Sequence, residues 1–126
     1  MFLKAILDSF QLLNAKVAEG QGDTRELSLF SRLDAKVLHF HKEGDRNLNT
    51  ITFVFAVFDE RQNLIEAQQR RAKVNVLDEQ MQDLFKLGIF VNLTFQLKQG
   101  IYRVREVVTD SEENRMTAFS RTVTIP

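Results

Sequence analysis

Two histidines come closest to a recognisable ligand spacing. His39 and His41 lie two residues apart in a run that predicts a strand, so both side chains point the same way and could supply two zinc ligands. A zinc site needs a third and a fourth ligand. The chain has no cysteine, and no neighbouring motif provides the missing ligands. The sequence therefore predicts no metal site here, but a partly exposed pair of histidines beside Phe40.

A second candidate for metal binding is the acidic stretch that begins at Asp110. Asp110, Glu112 and Asn114 place oxygen ligands at alternate positions, loosely as a calcium-binding loop does. The stretch lacks the glycine and the terminal glutamate of an EF-hand loop. We therefore expect a solvated hairpin turn, with calcium binding as the alternative.

Basic residues in two predicted strands could form an anion-binding patch if those strands lie side by side. They are Arg70, Arg71, Lys73, Arg103 and Arg105. Three carboxylates are equally near in sequence: Asp59, Glu66 and Glu106. Cross-strand ion pairs would account for these charges, and the 17 basic and 17 acidic residues of the whole chain cancel. Nucleic-acid binding is therefore not expected.

No group of residues indicates catalysis. None of the serines lies in a Gly-x-Ser-x-Gly motif, and no glycine-rich phosphate-binding loop occurs. The absence of cysteine also removes thiolate nucleophiles. The sequence predicts a protein with no catalytic residues and no cofactor.

Alternation of apolar and polar residues predicts extended structure through most of the chain. It is clearest over 89–97 and continues, after a turn at 98–100, over 101–109 and 118–125, so that these segments predict a three-stranded antiparallel meander. Upstream, 50–58 is apolar on both faces, which is typical of a central strand.

The remaining segments complete the predicted elements. A long polar strand is predicted over 64–77, shorter strands over 27–30 and 36–40, and a polar connection over 42–49. A short helix from Asp78 to Leu87, stopped by Gly88, is predicted to cross from one sheet to the other.

These elements predict a mostly β fold in one domain. The 126 residues include 44% apolar side chains and 11 phenylalanines, enough for one core. About seven short strands predict an immunoglobulin- or fibronectin III-like two-sheet antiparallel β-sandwich with a short helical crossover. It is expected to span residues 25–126. Residues 1–24 form an N-terminal extension that packs on it as a helix or a strand, because apolar residues recur every three or four positions over 2–17.

From Leu33 onward the order of motifs resembles the C-terminal β-sandwich region of large bacterial proteins related to von Willebrand factor type A. The motifs are the segments 33–40, 45–48, 52–59, 95–100, 102–110 and 121–126. The resemblance implies a sandwich module of a longer precursor, secreted or periplasmic, and an extended stretch before the sandwich. The type A domain and its metal-binding motif are not in this sequence. No signal peptide or membrane insertion is predicted, because Lys4 and Asp8 interrupt the apolar start.

The doubly apolar strand is the feature that points to a function. A sandwich buries one face of each sheet, so Val54, Ala56 and Phe58 are expected on the outside. The N-terminal stripe could cover them within the chain, or cover a second copy and form a homodimer by exchange. The stripe comprises Leu3, Ile6, Leu7 and Phe10, followed by Leu13.

These residues predict a non-catalytic structural or protein-interaction module with a protein partner. The alternative is a ligand-binding module for a carbohydrate or a metal ion. Sugar sites usually stack on exposed tryptophan or tyrosine, whereas this chain has no tryptophan and a single tyrosine, Tyr102.

Overall fold

The computed structural model describes residues 11–112 and 115–126. Their strands and helix are β1 Gln11–Glu19, β2 Thr24–Leu33, β3 His41–Glu43, β4 Arg46–Phe58, β5 Leu64–Leu77, α1 Met81–Leu87, β6 Ile89–Lys98, β7 Gly100–Asp110 and β8 Arg115–Ile125. Single 3-10 turns lie at Ala35–Val37 and Asp78–Gln80.

The strands form two antiparallel sheets. The three-stranded sheet has the order β1-β2-β6. In the five-stranded sheet, β4 is central: β5 pairs with one side, β7 and the short β3 also pair with it, and β8 extends the sheet from β7. The predicted mostly β fold, a two-sheet antiparallel sandwich, is confirmed.

The core lies between the two sheets and is built from alternate residues. In β4 every odd position from Asn47 to Val57 is buried, whereas the even positions from Leu48 to Phe58 are half-buried. The largest fully buried apolar side chains are Phe53, Phe55, Phe95, Leu27, Leu29, Ile51 and Ile125. Each such side chain contributes about 1.5–3 kcal/mol on burial. Phenylalanine fills this core, whereas antibody domains have a buried tryptophan.

The helical crossover is also confirmed. Helix α1 leads from β5 in the five-stranded sheet to β6 in the three-stranded sheet. It ends at Gly88, whose amide donates to the Leu84 carbonyl at 2.8 Å and whose φ of 81° and ψ of −172° are accessible to glycine almost alone. Asp78 does not cap the helix, because its carboxylate accepts hydrogen bonds from Asn47 and Lys42.

The predicted meander is wrong in its first strand, whereas the antiparallel pairing of its second and third strands, β7 and β8, is confirmed. Strand β6 pairs with β2, whereas β7 pairs with β4 and β8. The turn at 98–100 therefore carries the chain from one sheet to the other. A two-residue period reports that one face of a strand is buried, but both sheets bury one face, so the period does not tell which sheet a strand joins.

Two predictions in the N-terminal half are also wrong. The predicted strand over 36–40 begins instead as a 3-10 turn, because the Asp34 carboxylate accepts the Lys36 amide at 2.9 Å. The predicted polar connection over 42–49 is a hairpin between β3 and β4, which turns at Gly44 with φ 63°. In both places a short polar side chain or a glycine determines the local backbone.

The N-terminal extension, predicted as a helix or a strand, is a strand from Gln11 onward. Strand β1 pairs with β2 along its whole length, from Gln11 with Leu33 to Glu19 with Arg25. Leu13 and Val17 are four residues apart and fit both a helical and an extended period, which is why the pattern was ambiguous. Leu3, Ile6, Leu7 and Phe10 lie outside the described residues.

Candidate interaction face

The outer face of the five-stranded sheet holds the candidate site. Val54, Ala56 and Phe58 lie at even positions of β4, on the side turned away from the core, and each is half-buried. Neighbouring strands on both sides reduce their exposure, because β4 is central in the sheet. Their position agrees with what the doubly apolar pattern predicts for these three residues.

Val54 has an apolar neighbour on one side and a polar one on the other. It lies opposite Gln69 of β5 on one side and Val107 of β7 on the other. Val107 in turn lies opposite Ala118 of β8. We call Val54, Ala56, Val107 and Ala118 the apolar centre of this face. Because none of these side chains is long, the centre is flat and lower than the basic residues around it.

Basic residues lie on both sides of the apolar centre. Arg71 and Lys73 of β5 lie opposite Thr52 and Thr50. Across β4, Arg105 lies opposite Ala56, and Arg103 of β7 is the counterpart of Phe58. All four basic side chains are exposed. We call Arg71, Lys73, Arg103 and Arg105 the basic rim.

The predicted cross-strand ion pairs of the basic rim do not form. Glu106 lies on the core side of β7, is 0% exposed and accepts a hydrogen bond from the Ser31 hydroxyl. Glu66 lies opposite the buried Val57 and accepts a hydrogen bond from Gln68 at 3.0 Å. Within residues 11–112 and 115–126, no carboxylate forms an ion pair with the basic rim.

Arg70 does not belong to this patch, contrary to the prediction. It lies opposite the buried Phe53, on the other side of β5 from Arg71. Its guanidinium donates to the Gln69 carbonyl and the Gln68 side chain. It also lines a shallow hollow with Phe30 and Asn92 of the three-stranded sheet.

A groove of about 330 Å³ opens at the end of the face where β4 and β7 meet the loop 59–63. Its sheet side consists of Phe58, Ile101, Tyr102, Arg103, Arg105 and Thr122, and its loop side of Asp59, Glu60 and Gln62. The groove therefore combines apolar side chains and two guanidinium groups on one wall with two carboxylates on the other.

Asp59 fixes the loop wall of this groove. Its carboxylate accepts the Asn63 and Arg61 amides, each at 2.9 Å. These hydrogen bonds, the Asn63 amide first, hold the pKa of Asp59 below its usual range, so the group stays ionised. Burial and the charge of Asp59 raise the pKa of Tyr102, whose hydroxyl donates to the Lys98 carbonyl at 2.8 Å.

The two histidines lie in different elements and have different partners. His39 follows the 3-10 turn, and its carbonyl accepts the Asn49 side-chain amide at 2.6 Å. His41 begins β3, with Nε2 at 3.5 Å from a Glu43 carboxylate oxygen. Among the residues that the structure describes, no group of three or more histidines and carboxylates could hold a metal ion.

The predicted hairpin turn joins β7 to β8, and Ser111 and Glu112 are exposed in it, but Asp110 itself is buried. It is 3% exposed, and its Oδ1 accepts the Asn49 side-chain amide and the Glu112 amide, each at 2.9 Å. Ser111 adds a hydroxyl bond to Asn49 at 3.1 Å. This network joins β4 to the end of β7. Sequence reasoning missed it because Asn49 and Asp110 are 61 residues apart, and no local signal connects them.

Sequence reasoning also missed two exposed rings on the other sheet. Phe90 is 66% exposed and Phe30 44% exposed, both at positions that the alternation assigns to the polar side. An aromatic residue at a polar position is the signal that could have identified them. Both lie on the outer face of the three-stranded sheet.

Comparisons with known proteins support the fold only. No protein-family model and no curated protein sequence matches the chain. Among solved structures, it is similar to a calcium-binding mutant of β-glucuronidase 2 from Bacteroides uniformis, with a TM-score of 0.51 and 10% identity. It is also similar to β-glucuronidase from the same organism, with a TM-score of 0.50 and 10% identity. In both cases the match covers 91% of this chain but 13% of the enzyme chain.

No helix within the described ranges has the length and hydrophobicity that a membrane span requires.

Proposed function

We propose that this chain is a non-catalytic protein-interaction module, a β-sandwich of a larger exported bacterial protein, and that it binds a protein partner with the outer face of its five-stranded sheet. The observation that carries the proposal is the apolar centre with the basic rim beside it. Protein interfaces combine an apolar middle with a polar border, and arginine is enriched among the residues that dominate binding energy. The exported origin rests on the sequence resemblance to proteins related to von Willebrand factor type A.

The dimensions of the face suggest a modest affinity. Four strands at about 4.8 Å spacing and nine residues at about 3.3 Å each give a sheet area of roughly 14 Å by 27 Å. Standard stable interfaces bury about 800 Å² on each partner. A flat face of this area falls below that value, so we expect a transient contact, or one of several contacts in a larger assembly.

A carbohydrate-binding function has less support. Sugar sites use exposed aromatic rings as stacking surfaces. The only tyrosine of the chain, Tyr102, is 9% exposed and its hydroxyl is hydrogen-bonded to Lys98. Phe58 is half-buried between β5 and β7. The face thus offers no wide aromatic surface among its described side chains.

Selection from a displayed peptide library tests the proposal. Peptides selected on the wild-type chain are measured against Val54→Lys, which removes the central apolar contact but keeps the positive sign of the face. The matched control is Asn92→Lys, which adds the same charge at an exposed position of the three-stranded sheet. We expect the affinity to fall about tenfold for Val54→Lys only. Equal affinity for both variants and the wild type would contradict the proposal.

A further inference from the structure

We infer that the partner presents an acidic polypeptide segment, in which carboxylates flank apolar side chains, to the outer face of the five-stranded sheet. This inference rests on the proposed function and specifies the chemistry of the partner. It follows from the sign of the charges on the face, their positions relative to the apolar centre, and the kinds of side chain between them.

Charges of one sign are segregated on this face. The outward positions of β4, β5, β7 and β8 that the structure describes carry arginine and lysine but no carboxylate. The chain as a whole has equal numbers of acidic and basic residues, so this segregation is local. Acidic residues border the face at two places: Glu43 of β3 lies opposite Arg46 at one corner, and Asp59 and Glu60 line the groove at the other end of β4, beside Arg103 and Arg105.

Geometry sets the spacing of the acidic groups in the partner. Arg71 and Arg105 lie on opposite sides of β4, beside Thr52 and Ala56 respectively. Four residues along the strand and two strand spacings across it separate them by about 16 Å. Val54 lies between the two rows. An extended segment covers this distance with about five residues. Only residues an even number apart point to the same side of such a segment, so carboxylates four or six residues apart would meet both halves of the basic rim.

The apolar centre favours a polypeptide over other polyanions. A polysaccharide or nucleic acid would contact the rim but would leave Val54 and Val107 without apolar contacts. Single-stranded nucleic acids also need aromatic stacking surfaces, and Phe58 is the one aromatic side chain at the described outward positions of β4, β5 and β7. A symmetric contact would bring together two faces whose described outward strand positions carry basic residues and no carboxylate, so the same face does not favour a homodimer.

Two short peptides and one glycan test the inference on the full chain. The first peptide has two glutamates on each side of a Val-Leu-Val centre, and the second has Ser-Ser-Ser at its centre. Polygalacturonate supplies carboxylates on a sugar chain. Binding is measured by fluorescence polarisation at ionic strengths from about 20 mM to about 200 mM, over which surface charges become screened.

Charge-reversal variants locate the contact. R103E/R105E and R71E/K73E each invert one half of the basic rim. The control K16E/K36E makes the same change in net charge at two exposed lysines elsewhere. Circular dichroism melts confirm that each variant is folded.

We expect the Val-Leu-Val peptide to bind the wild-type chain more tightly than the Ser-Ser-Ser peptide and polygalacturonate do. Its affinity should be about tenfold lower for either rim variant and unchanged for K16E/K36E. Its affinity should fall as salt rises. The inference is overturned if K16E/K36E loses as much affinity as the rim variants, or if polygalacturonate binds as tightly as the Val-Leu-Val peptide. The library peptides separate the inference from the proposed function. If their affinity falls in Val54→Lys, but they contain no acidic residues and bind the charge-reversal variants as well as the wild type, the inference is overturned and the proposed function stands. If their affinity is the same for Val54→Lys and the wild type, both are overturned.

Discussion

The two outer faces of the sandwich use their arginines differently. On the three-stranded sheet, Arg32 donates to the Leu87 carbonyl at 3.0 Å and to the Lys86 carbonyl at 3.4 Å, which ties β2 to the end of α1. On the five-stranded sheet, Arg103 and Arg105 have no carboxylate partner within the described chain. The first arginine has a structural role that its hydrogen bonds explain, whereas the other two are exposed and are the ones that we propose contact the partner.

The faces also differ in their apolar groups. The three-stranded sheet exposes two large rings, Phe30 and Phe90, among residues of both charge signs. The five-stranded sheet instead has its apolar centre between the two halves of the basic rim, and its exposed large apolar side chains, among them Leu64 and Met116, are not aromatic.

The largest expected effect compares the two sides of β4. Phe55→Ala should lower the free energy of unfolding by about 3–5 kcal/mol, because it opens a cavity at a fully buried position. Val54→Ala should cost about 1 kcal/mol or less, because Val54 lies on the outer face. Urea unfolding of both variants measures the difference. Similar losses would mean that the outer face is packed like a core.

A second prediction concerns the end of the helical crossover α1, which Arg32 ties to β2. Gly88→Ala should lower the free energy of unfolding by about 2–3 kcal/mol, since its backbone region is nearly specific to glycine and a Cβ would lie 2.8 Å from the Leu33 carbonyl oxygen. Gly44→Ala is the matched control. It also has a positive φ but open space around the added Cβ, so it should cost about 1 kcal/mol. Equal losses would indicate that backbone strain alone matters at Gly88.

The arginines give a third and smaller effect. Arg32→Gln should lower the free energy of unfolding by about 0.5–1.5 kcal/mol, the usual contribution of such hydrogen bonds. Arg105→Gln should change it by no more than about 0.5 kcal/mol. Thermal or urea unfolding provides the values. A loss for Arg105→Gln as large as that for Arg32→Gln would show that Arg105 has a structural partner.

The smallest expected effect is the acid dependence of the loop at Asp59. Because its pKa is lowered in the folded state, its contribution to stability is complete above the unfolded pKa of about 3.9 and is lost as the pH falls through the folded value. Asp59→Ala should therefore reduce the slope of unfolding free energy against pH below about pH 4. Gln62→Ala, which changes an uncharged side chain in the same loop, is the control and should leave that slope unchanged. The same slope in all three chains would contradict the assignment.

Much of the fold could be predicted because it is determined locally. The two apolar faces of 50–58 identify a central strand, and Gly88 marks the end of α1. The sheet to which each strand belongs could not be predicted, since β6 and β7 have the same alternation but join different sheets. The partner of Asp110 was beyond local reasoning for the same reason: its contact with Asn49 is formed only by the sheet.

Part of the candidate site could be predicted from the sequence. Val54, Ala56 and Phe58 could be placed outside from the pattern of β4 alone. Counting Glu106 among the carboxylates that could balance the basic residues overlooked a local signal. Adjacent residues in a strand point to opposite faces, so Arg105 and Glu106 cannot share the outer face. Attention to odd and even positions would have revealed the unbalanced basic rim, although not that β5 supplies its other half.

Amide chemical-shift mapping by NMR tests the central claim most directly. The uniformly labelled chain is titrated with the Val-Leu-Val peptide, and the perturbed amides are assigned. We expect the largest shifts in β4 and β7, around Val54 and Arg105, with smaller shifts in β5 near Arg71. Shifts concentrated around Phe30 and Phe90 instead would contradict the assignment of the binding face.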